Sequence, residues 1–421
     1  MGLSELIRKI KGVEITEKTN QEYDQWDIKN IGNIVVPEKL SPENSFMLAN
    51  TVTEIFFPID FYADRISKLN YFIAYKSTGK PAPNNSLNRF ITDINPLYSF
   101  SDLVYQYVFS LLSDGNVRNY LGVPSLYKNI SADTIERWDV INPNMLTISE
   151  WENLSILDIR SQNELIRKAE YIQGIGKKDL DVSRLFIHSY NNYKRNCSNV
   201  LSISPLFAAN KSIDTLLAVY SARYNVYANN GAAGYLARKS SQNGVMDLNN
   251  IGNDDGKRQE ILDDINKRNG LTGKKNIWGI SGVPIEFVKT LATISELMPL
   301  EETLENSIKI SSIFQIPAVL VPRKDQSTFS NQADAEKSVW ENGLMSMSET
   351  VNNNLTKLFC LDKTPFVIMS DYSGVSSLAA NEVNNQDLIT KKLANLDKIK
   401  ALDPELDINI ELQKIFLEYG S

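Results

Sequence analysis

The sequence predicts a mainly helical α+β protein, and three observations carry that reading. Long helical patterns run over 204–229, over about 294–314 and from about 330 to 359. Short β-rich runs alternate with turns between 130 and 190. A small mixed module, polar and rich in Gly, occupies 231–290, between the first two long helices. At 421 residues the length alone predicts two or three domains.

The first long helix reads SPLFAANKSIDTLLAVYSARYNVYANNG from Ser204. Ser204 suits an N-cap, and Pro205 falls where a missing N–H is harmless. Ile213, Leu217, Tyr220, Tyr224 and Tyr227 recur at the alternating spacing of a narrow apolar seam. Lys211, Ala218, Ala222, Asn225 and Asn229 form a small or polar opposite side, and Asn230-Gly231 stops the helix. Taken alone this is an ordinary amphipathic helix.

Before it, residues 1–44 are polar. Their first fifteen form an amphipathic start interrupted by charge, unlike a signal peptide, and Leu6 stands where a myristoylation motif needs Ser or Thr. The apolar stretch Phe46–Ala63 holds Asn50, Glu54, Pro58 and Asp60, so a buried helix is expected rather than a membrane span. A strand is expected over Leu69–Tyr75, a loop over 76–88, and two helices joined at Asn95-Pro96, the second over Ser101–Leu112 behind a serine cap and stopped at Asp114-Gly115-Asn116. Strands are expected at Thr147–Trp151, Leu154–Ile159, Lys168–Tyr171 and Arg184–His188. The intervening module reads as a strand at Gly234–Arg238, a helix at Gly256–Asn269 and two strands around Ile277–Val288. The second long helix puts Leu297, Leu304 and Ile308 on one face and Glu301, Glu302 and Glu305 on another, ending at Ile316-Pro317 because the residue before proline is pushed out of helical geometry. An exposed polar loop, Pro322–Ser327, leads to the third helix, with apolar residues at Trp340, Leu344, Met347, Val351, Leu355 and Leu358, and then a strand over Phe366–Ser370.

Composition excludes several functions. The net charge of −7 argues against a tight, sequence-reading DNA binder. Two cysteines, Cys197 and Cys360, lack metal spacing and fit a reducing compartment. One histidine, His188, excludes His-rich zinc sites and disfavours a His-dependent triad. Gly174-Ile175-Gly176-Lys177-Lys178 and Gly270-Leu271-Thr272-Gly273-Lys274-Lys275 lack the spacing of a P-loop and read as turns. Glu301, Glu302 and Glu305 read as a solvated helix stripe, and no ligand pattern completes Asp254-Asp255. No catalytic residue, metal site or cofactor is expected.

Several stretches, in order, resemble the portal proteins of tailed bacteriophages, of the short kind found in long-tailed phages and prophages. They are Asn95-Pro96-Leu97-Tyr98-Ser99-Phe100-Ser101-Asp102-Leu103 followed by Leu112–Val117, then Arg184–His188, then Ser202-Ile203-Ser204-Pro205-Leu206 followed by Tyr227–Ala232, then Pro299–Pro317, then Thr328–Gln332. Together they cover most of residues 45–370. Ile203 departs from the family's usual glycine-containing pair, Met347 and Ser348 lie where many relatives carry a proline, and nothing after Asp371 matches.

The resemblance implies a portal fold: an N-terminal arm and wing over 1–200, a first stem helix over 201–230, a clip over 231–290, a second stem helix over 291–315, a tunnel loop over 316–331, a long wing helix and strand over 332–372, and a crown segment over 373–421. It implies a homo-oligomeric ring, usually of twelve copies, at one capsid vertex. Through that ring double-stranded DNA is packaged and ejected without sequence specificity. The implied partners are the terminase large subunit, the head-tail adaptor, and the major capsid and scaffold proteins, with no membrane. The implied location is the virion, after assembly in the host cytoplasm. Another head-tail adaptor or a minor capsid protein is the alternative. DNA that slides must not be gripped, so an acidic chain with few basic residues near the path fits. Arg323, Lys324 and Gln326 on the loop and Lys211 on the first stem helix are the candidate channel residues, and a solvated loop tip is the ordinary reading of the first three. Part of the stem seam is expected to stay exposed in a single chain.

Overall fold

The structure, a computed structural model, describes residues 37, 39–82, 85–124, 126–127, 129–151, 161–173, 176–190, 198–228, 234–238, 285–289, 299–322 and 329–378. The chain divides into two compact units. One comprises Met1–Val36, Ser41–Ala208 and Ser311–Ser421, and the other comprises Pro37–Leu40 and Ala209–Ile310.

In the first unit, α1 (Ser45–Thr51) and α2 (Thr53–Ser67) are separated by the extended residue Val52. The expected single helix over Phe46–Ala63 is therefore two. After β1 (Asn70–Tyr75) and the short α3 (Arg89–Thr92), the Asn95 side chain shapes the joint. Its Oδ1 accepts from Leu97 N at 2.9 Å, and its Nδ2 donates to the Trp138 carbonyl at 2.7 Å. This Asx turn leads into α4 (Phe100–Ser113). Ser99, not Ser101, is the N-cap: its Oγ accepts from Asp102 N, and the Asp102 carboxylate accepts from Ser99 N. That reciprocal pair satisfies two end donors of the helix.

The central helix α4 buries Leu103, Val104, Tyr107, Val108, Leu111 and Leu112. It packs against α2 on one side and β2 (Asn116–Gly122) on the other. Strand β2 lies between β3 (Arg137–Ile141) and β7 (Leu185–Ser189) in an antiparallel sheet. A second antiparallel sheet has the order β4 (Leu146–Glu150), β5 (Ile166–Gln173), β6 (Gly176–Leu180). Leu146 and Ala169 from this sheet join Ile141, Leu185, Ile187 and Val200 in one apolar cluster. Gly176, Lys177 and Lys178, expected in a turn, lie on β6, where paired backbone with exposed side chains makes an edge strand. Gly174, Ile175 and the expected strand Leu154–Ile159 lie outside the described residues.

The second half of this unit closes over the first. The third long helix is α7 (Phe329–Val339), a π-helical turn (Trp340–Leu344) and α8 (Met345–Leu358). Trp340, Leu344, Val351, Leu355 and Leu358 are buried as their spacing predicts, but Met347 is only half-buried while its neighbour Ser348 is buried, as are Val339, Asn352 and Thr356. Strand β10 (Phe366–Asp371) pairs antiparallel with β1. Phe359 stacks on Phe90 at 4.7 Å between centroids and meets Trp138 edge-on at 5.5 Å. All three rings are buried. Aromatic pairs of this geometry add roughly 0.5–1.5 kcal/mol each beyond their area.

A 3₁₀ turn (Pro205–Ala209) at the end of 41–208 precedes α5 (Asn210–Ala228) of the second unit, so the first turn after Ser204 is tighter than the α-helix expected there. Leu40 N donates to Asp214 Oδ1 on α5 at 2.9 Å. β8 (Gly234–Arg238) and β9 (Ile285–Lys289) form an antiparallel pair, and α6 spans Pro299–Ile313. The expected helix Gly256–Asn269 and residue Leu297 lie outside the described residues. Leu304 and Ile308, expected on the apolar face of α6, are half-buried. The most covered positions are Thr303, Asn306, Ser307, Ile310 and Ser311, mostly short side chains that partial cover hides completely.

His188 sits on β7 with its Nδ1 2.7 Å from Tyr107 Oη and 3.4 Å from Asn119 Nδ2. Burial, with a smaller repulsion from Lys357, pushes its imidazole down to about 4. An unfolded histidine titrates near ~6.5, so between those pH values the unfolded chain binds the extra proton. The stability from keeping His188 neutral is full above pH ~6.5 and is lost as pH falls toward 4, about 3 kcal/mol in all at ~1.36 kcal/mol per pH unit. Urea unfolding at a series of pH values is expected to show this loss, with a shallower pH dependence in His188→Gln.

Candidate functional site at the ends of the long helices

Of the sequence-derived channel residues, only Lys211 lies among the described residues. Lys211 is exposed on the first turn of α5. Arg323, Lys324 and Gln326 lie outside the described residues, as do Lys274 and Lys275. On α6, Glu301 and Glu305 are exposed and Glu302 is half-buried, while Glu305 pairs with Lys309 at 2.7 Å, one turn on. That arrangement is a solvated i,i+4 pair. Among the described residues no group of His, Cys, Asp and Glu is placed to hold a metal ion, and no helix is long and apolar enough to cross a membrane. On α5, Ile213, Leu216 and Leu217 are buried, whereas Tyr220 and Tyr224 are 37% and 69% exposed. Among the seam residues whose side chains are described, those at the start of α5 are thus covered and Tyr220 and Tyr224 are not.

What the structure does define is how the chain is held just before α5 and just after α6. Before α5, the hold is the turn from α4 into β2. Gly115 has φ +82, and a Cβ there would stand 2.6 Å from the Ile203 carbonyl oxygen and 2.9 Å from Ser204 Cα. Only glycine meets both demands. The next residue reads the same strand: Asn116 Oδ1 accepts from Ser202 N at 2.7 Å, and Asn116 Nδ2 donates to the Ser202 carbonyl at 2.9 Å. Ser204 Oγ donates to the Ser113 carbonyl at 2.7 Å and accepts from Leu206 N at 3.2 Å. Beneath them Arg118 Nη1 donates to Asp114 Oδ2 at 2.8 Å, with the two side chains 4% and 5% exposed. A buried ion pair adds little net stability, but removal of one partner strands the other charge.

After α6, the chain leaves the helix through a Schellman turn. Ile316 N donates to the Ser311 carbonyl and Gln315 N to the Ser312 carbonyl, with Gln315 left-handed at φ +57. Pro317 then prevents any continuation. The proline rule placed this end correctly, although the helix stops at Ile313. Tyr62 of α2 donates its hydroxyl to the Phe314 carbonyl at 2.7 Å. Burial pushes that phenol well above its usual range, so it stays a donor. On the same face of α2, Arg65 donates through Nε and Nη2 to Glu336 Oε1 of α7 at 3.1 and 2.9 Å, its guanidinium lying over the Phe61 ring. The π turn completes the junction: Met345 N reaches back five residues to the Trp340 carbonyl. Gly343 lies so close to α2 that a Cβ would stand 2.0 Å from Tyr62 Oη. A cavity of about 270 Å³ opens here, lined in part by Tyr62, Tyr190, Phe314, Gln315, Asn342 and Gly343. Sequence reasoning found the ends of the helices but missed Tyr62 and Gly343, since neither stands in a spacing that separates it from ordinary core positions.

Helices around small antiparallel sheets, with no metal-holding group among the described residues, make a mixed helix-and-sheet protein, and similarity to known proteins gives its family. A family model described as phage portal protein matches residues 53–395, about four-fifths of the chain. The chain belongs to the phage portal protein family; it is a structural protein of the capsid vertex, with a role in DNA packaging that follows from the family. No curated protein matches the chain in sequence. Among solved structures, the neck of a native gene transfer agent (GTA) particle, computed with C12 symmetry, aligns with a TM-score of 0.52 at 13% identity, covering 83% of this chain and 90% of that one. The virion of the native gene transfer agent particle aligns with a TM-score of 0.53 at 13% identity, covering 85% and 90%. An HK97 family phage portal protein from Corynebacterium diphtheriae aligns with a TM-score of 0.46 at 12% identity, covering 77% and 96%.

Two glycines separate strain from collision. Gly79 has φ +65 with nothing within 4 Å of a Cβ, so Gly79→Ala is expected to cost about 1 kcal/mol from left-handed strain alone. Gly115→Ala adds the collision with residues 203 and 204 and is expected to cost about 2–4 kcal/mol. Gln315→Gly, which relieves the strained helix end, is expected to gain about 0.5–1 kcal/mol. Denaturant titration of the three variants measures all of these.

Proposed function

We propose that this chain forms a homo-oligomeric ring of twelve copies at the capsid vertex and that the ring is the conduit for packaging and ejecting double-stranded DNA. The observation that carries the proposal is the chain plan within the matched span: a unit built on 209–310, entered by α5 and left by α6, followed by residues 316–331 and then α7. The C12 symmetry of the gene transfer agent neck supports the subunit number. In this reading 1–200 and 332–372 are the arm and wing, α5 and α6 the stem, 231–290 the clip, 316–331 the tunnel loop and 373–421 the crown.

The exposed second half of the α5 seam, with Tyr220 and Tyr224, meets the neighbouring copy in the ring. The clip faces the terminase large subunit during packaging and the head-tail adaptor afterwards, and the wing meets the major capsid and scaffold proteins. The protein itself performs no catalysis; the ATP-driven motor is a separate protein. Arg323, Lys324 and Gln326 touch the DNA backbone loosely, and Lys211 lies on the channel wall. Weak, scattered positive charge on an acidic chain lets DNA slide, because each retained phosphate contact releases counterions and adds grip.

Light scattering with negative-stain imaging of the purified full-length protein is expected to give a ring of about a dozen subunits with a central hole. A compact dimer that persists on concentration would overturn the conduit. Particles made with Arg323→Ala/Lys324→Ala are expected to contain ring and capsid in normal ratio but several-fold less DNA, measured as DNA per particle.

A further inference from the structure

We infer that one face of α2 is a bracket that positions both roots of the 316–331 segment, with Tyr62 and Arg65 as the positioning residues. The two side chains are three residues apart, so they project from the same face of the helix. Tyr62 holds the Phe314 carbonyl, immediately before the segment. Arg65 holds Glu336 on α7, about one and a half helical turns beyond it. Tyr62 Oη also meets Gly343 in the π turn, where even a methyl group has no room. Phe314 and Ile316 are buried, whereas Gln315, Asn342 and Ser346 are exposed beside the cavity. Apolar packing there is not directional, and the hydrogen bond and the glycine contact add the direction. The π turn belongs to the same device. Gly343, which gives Tyr62 its clearance, lies within that turn, and π turns concentrate where a helix must accommodate a local demand of this type.

The bracket rests on α2, α6 and α7 geometry alone, while its consequence for DNA rests on the channel reading above. Hydrogen exchange of the full-length protein, resolved to the segments 314–321 and 331–339, tests it. Tyr62→Phe is expected to speed exchange of the Gln315 and Ile316 amides, which donate in the helix-ending turn, at least ten-fold. Arg65→Gln is expected to speed exchange in 331–339 and leave Gln315 and Ile316 unchanged. Gly79→Ala, which strains a remote turn, is expected to alter neither segment, separating positioning from a general loss of stability.

The glycine contact gives a second readout. In Gly343→Ala the new methyl stands 2.0 Å from the Tyr62 hydroxyl; once Tyr62→Phe removes that hydroxyl, the nearest atom is the ring Cζ at 3.2 Å. The double variant is therefore expected to melt at a higher temperature than Gly343→Ala alone. Unchanged exchange at Gln315 and Ile316 in Tyr62→Phe, or additive melting losses in the double variant, would overturn the bracket. Particles carrying Tyr62→Phe are expected to show the same several-fold loss of DNA as Arg323→Ala/Lys324→Ala. If exchange and melting behave as expected while both sets of particles fill normally, the bracket stands and the channel reading of 316–331 falls.

Discussion

The close approach of Gly115 to the Ile203 carbonyl is the constraint on which the rest of the molecule depends. A helix, a central strand and the departing chain meet there within one residue's width. With no Cβ at 115, α4 ends, β2 begins and residues 202–204 lie against the turn at backbone distance. Asn116 then treats the Ser202 peptide as a strand partner would, accepting from its N–H and donating to its C=O. Apolar contacts alone would have let residues 198–208 settle in several ways, because oil-like surfaces are not directional. A buried amide pair admits one register. The network gives direction, and the rings of Phe90, Trp138 and Phe359 give much of the cohesion.

Much of the helical architecture was legible in the sequence, since the signals there are local. A serine cap ahead of Asp102 advertises the start of α4, although the cap is Ser99 and not the Ser101 expected; Asp114-Gly115-Asn116 marks its end, and Ile316-Pro317 the end of α6. The β1, β7 and β8 segments were legible from short β-rich runs between turn residues. β3 and β6 were not, because Arg137-Trp138-Asp139-Val140-Ile141 and Gly176-Lys177-Lys178-Asp179-Leu180 carry too much charge to resemble buried strands. Their place comes from partners across the sheet, and pairing is not written in either segment. The π turn was invisible for a related reason. Trp340, Leu344, Val351 and Leu355 fit an unbroken helix, and the extra residue is demanded by Tyr62, far away in sequence. The candidate DNA-path residues were chosen by charge and by the family's plan, while the side chains that fix the helix ends, Tyr62 and Arg65, were hidden among core positions.

The two units use their side chains differently. The unit made largely of 41–208 and 311–371 concentrates buried rings, a buried ion pair and satisfied polar networks, which fix its own shape. The described surface of α5 carries instead an exposed lysine and two exposed tyrosines.

Strand β10 closes against β1 almost three hundred residues away, and Phe359 completes the stack begun by Phe90 at a similar separation. During synthesis, therefore, residues 45–208 leave the ribosome without their cover, and the whole of 209–310 must be made before that cover arrives. Loop closure over such a distance is slow, and the waiting chain carries Ile73, Phe90 and Trp138 uncovered. The order of events is thereby fixed by topology: β1 gains its partner strand only after 209–310 has been made. A subunit in which β1 and β10 are paired is one whose inserted unit has already been synthesised, which places a test for that insertion inside the fold itself.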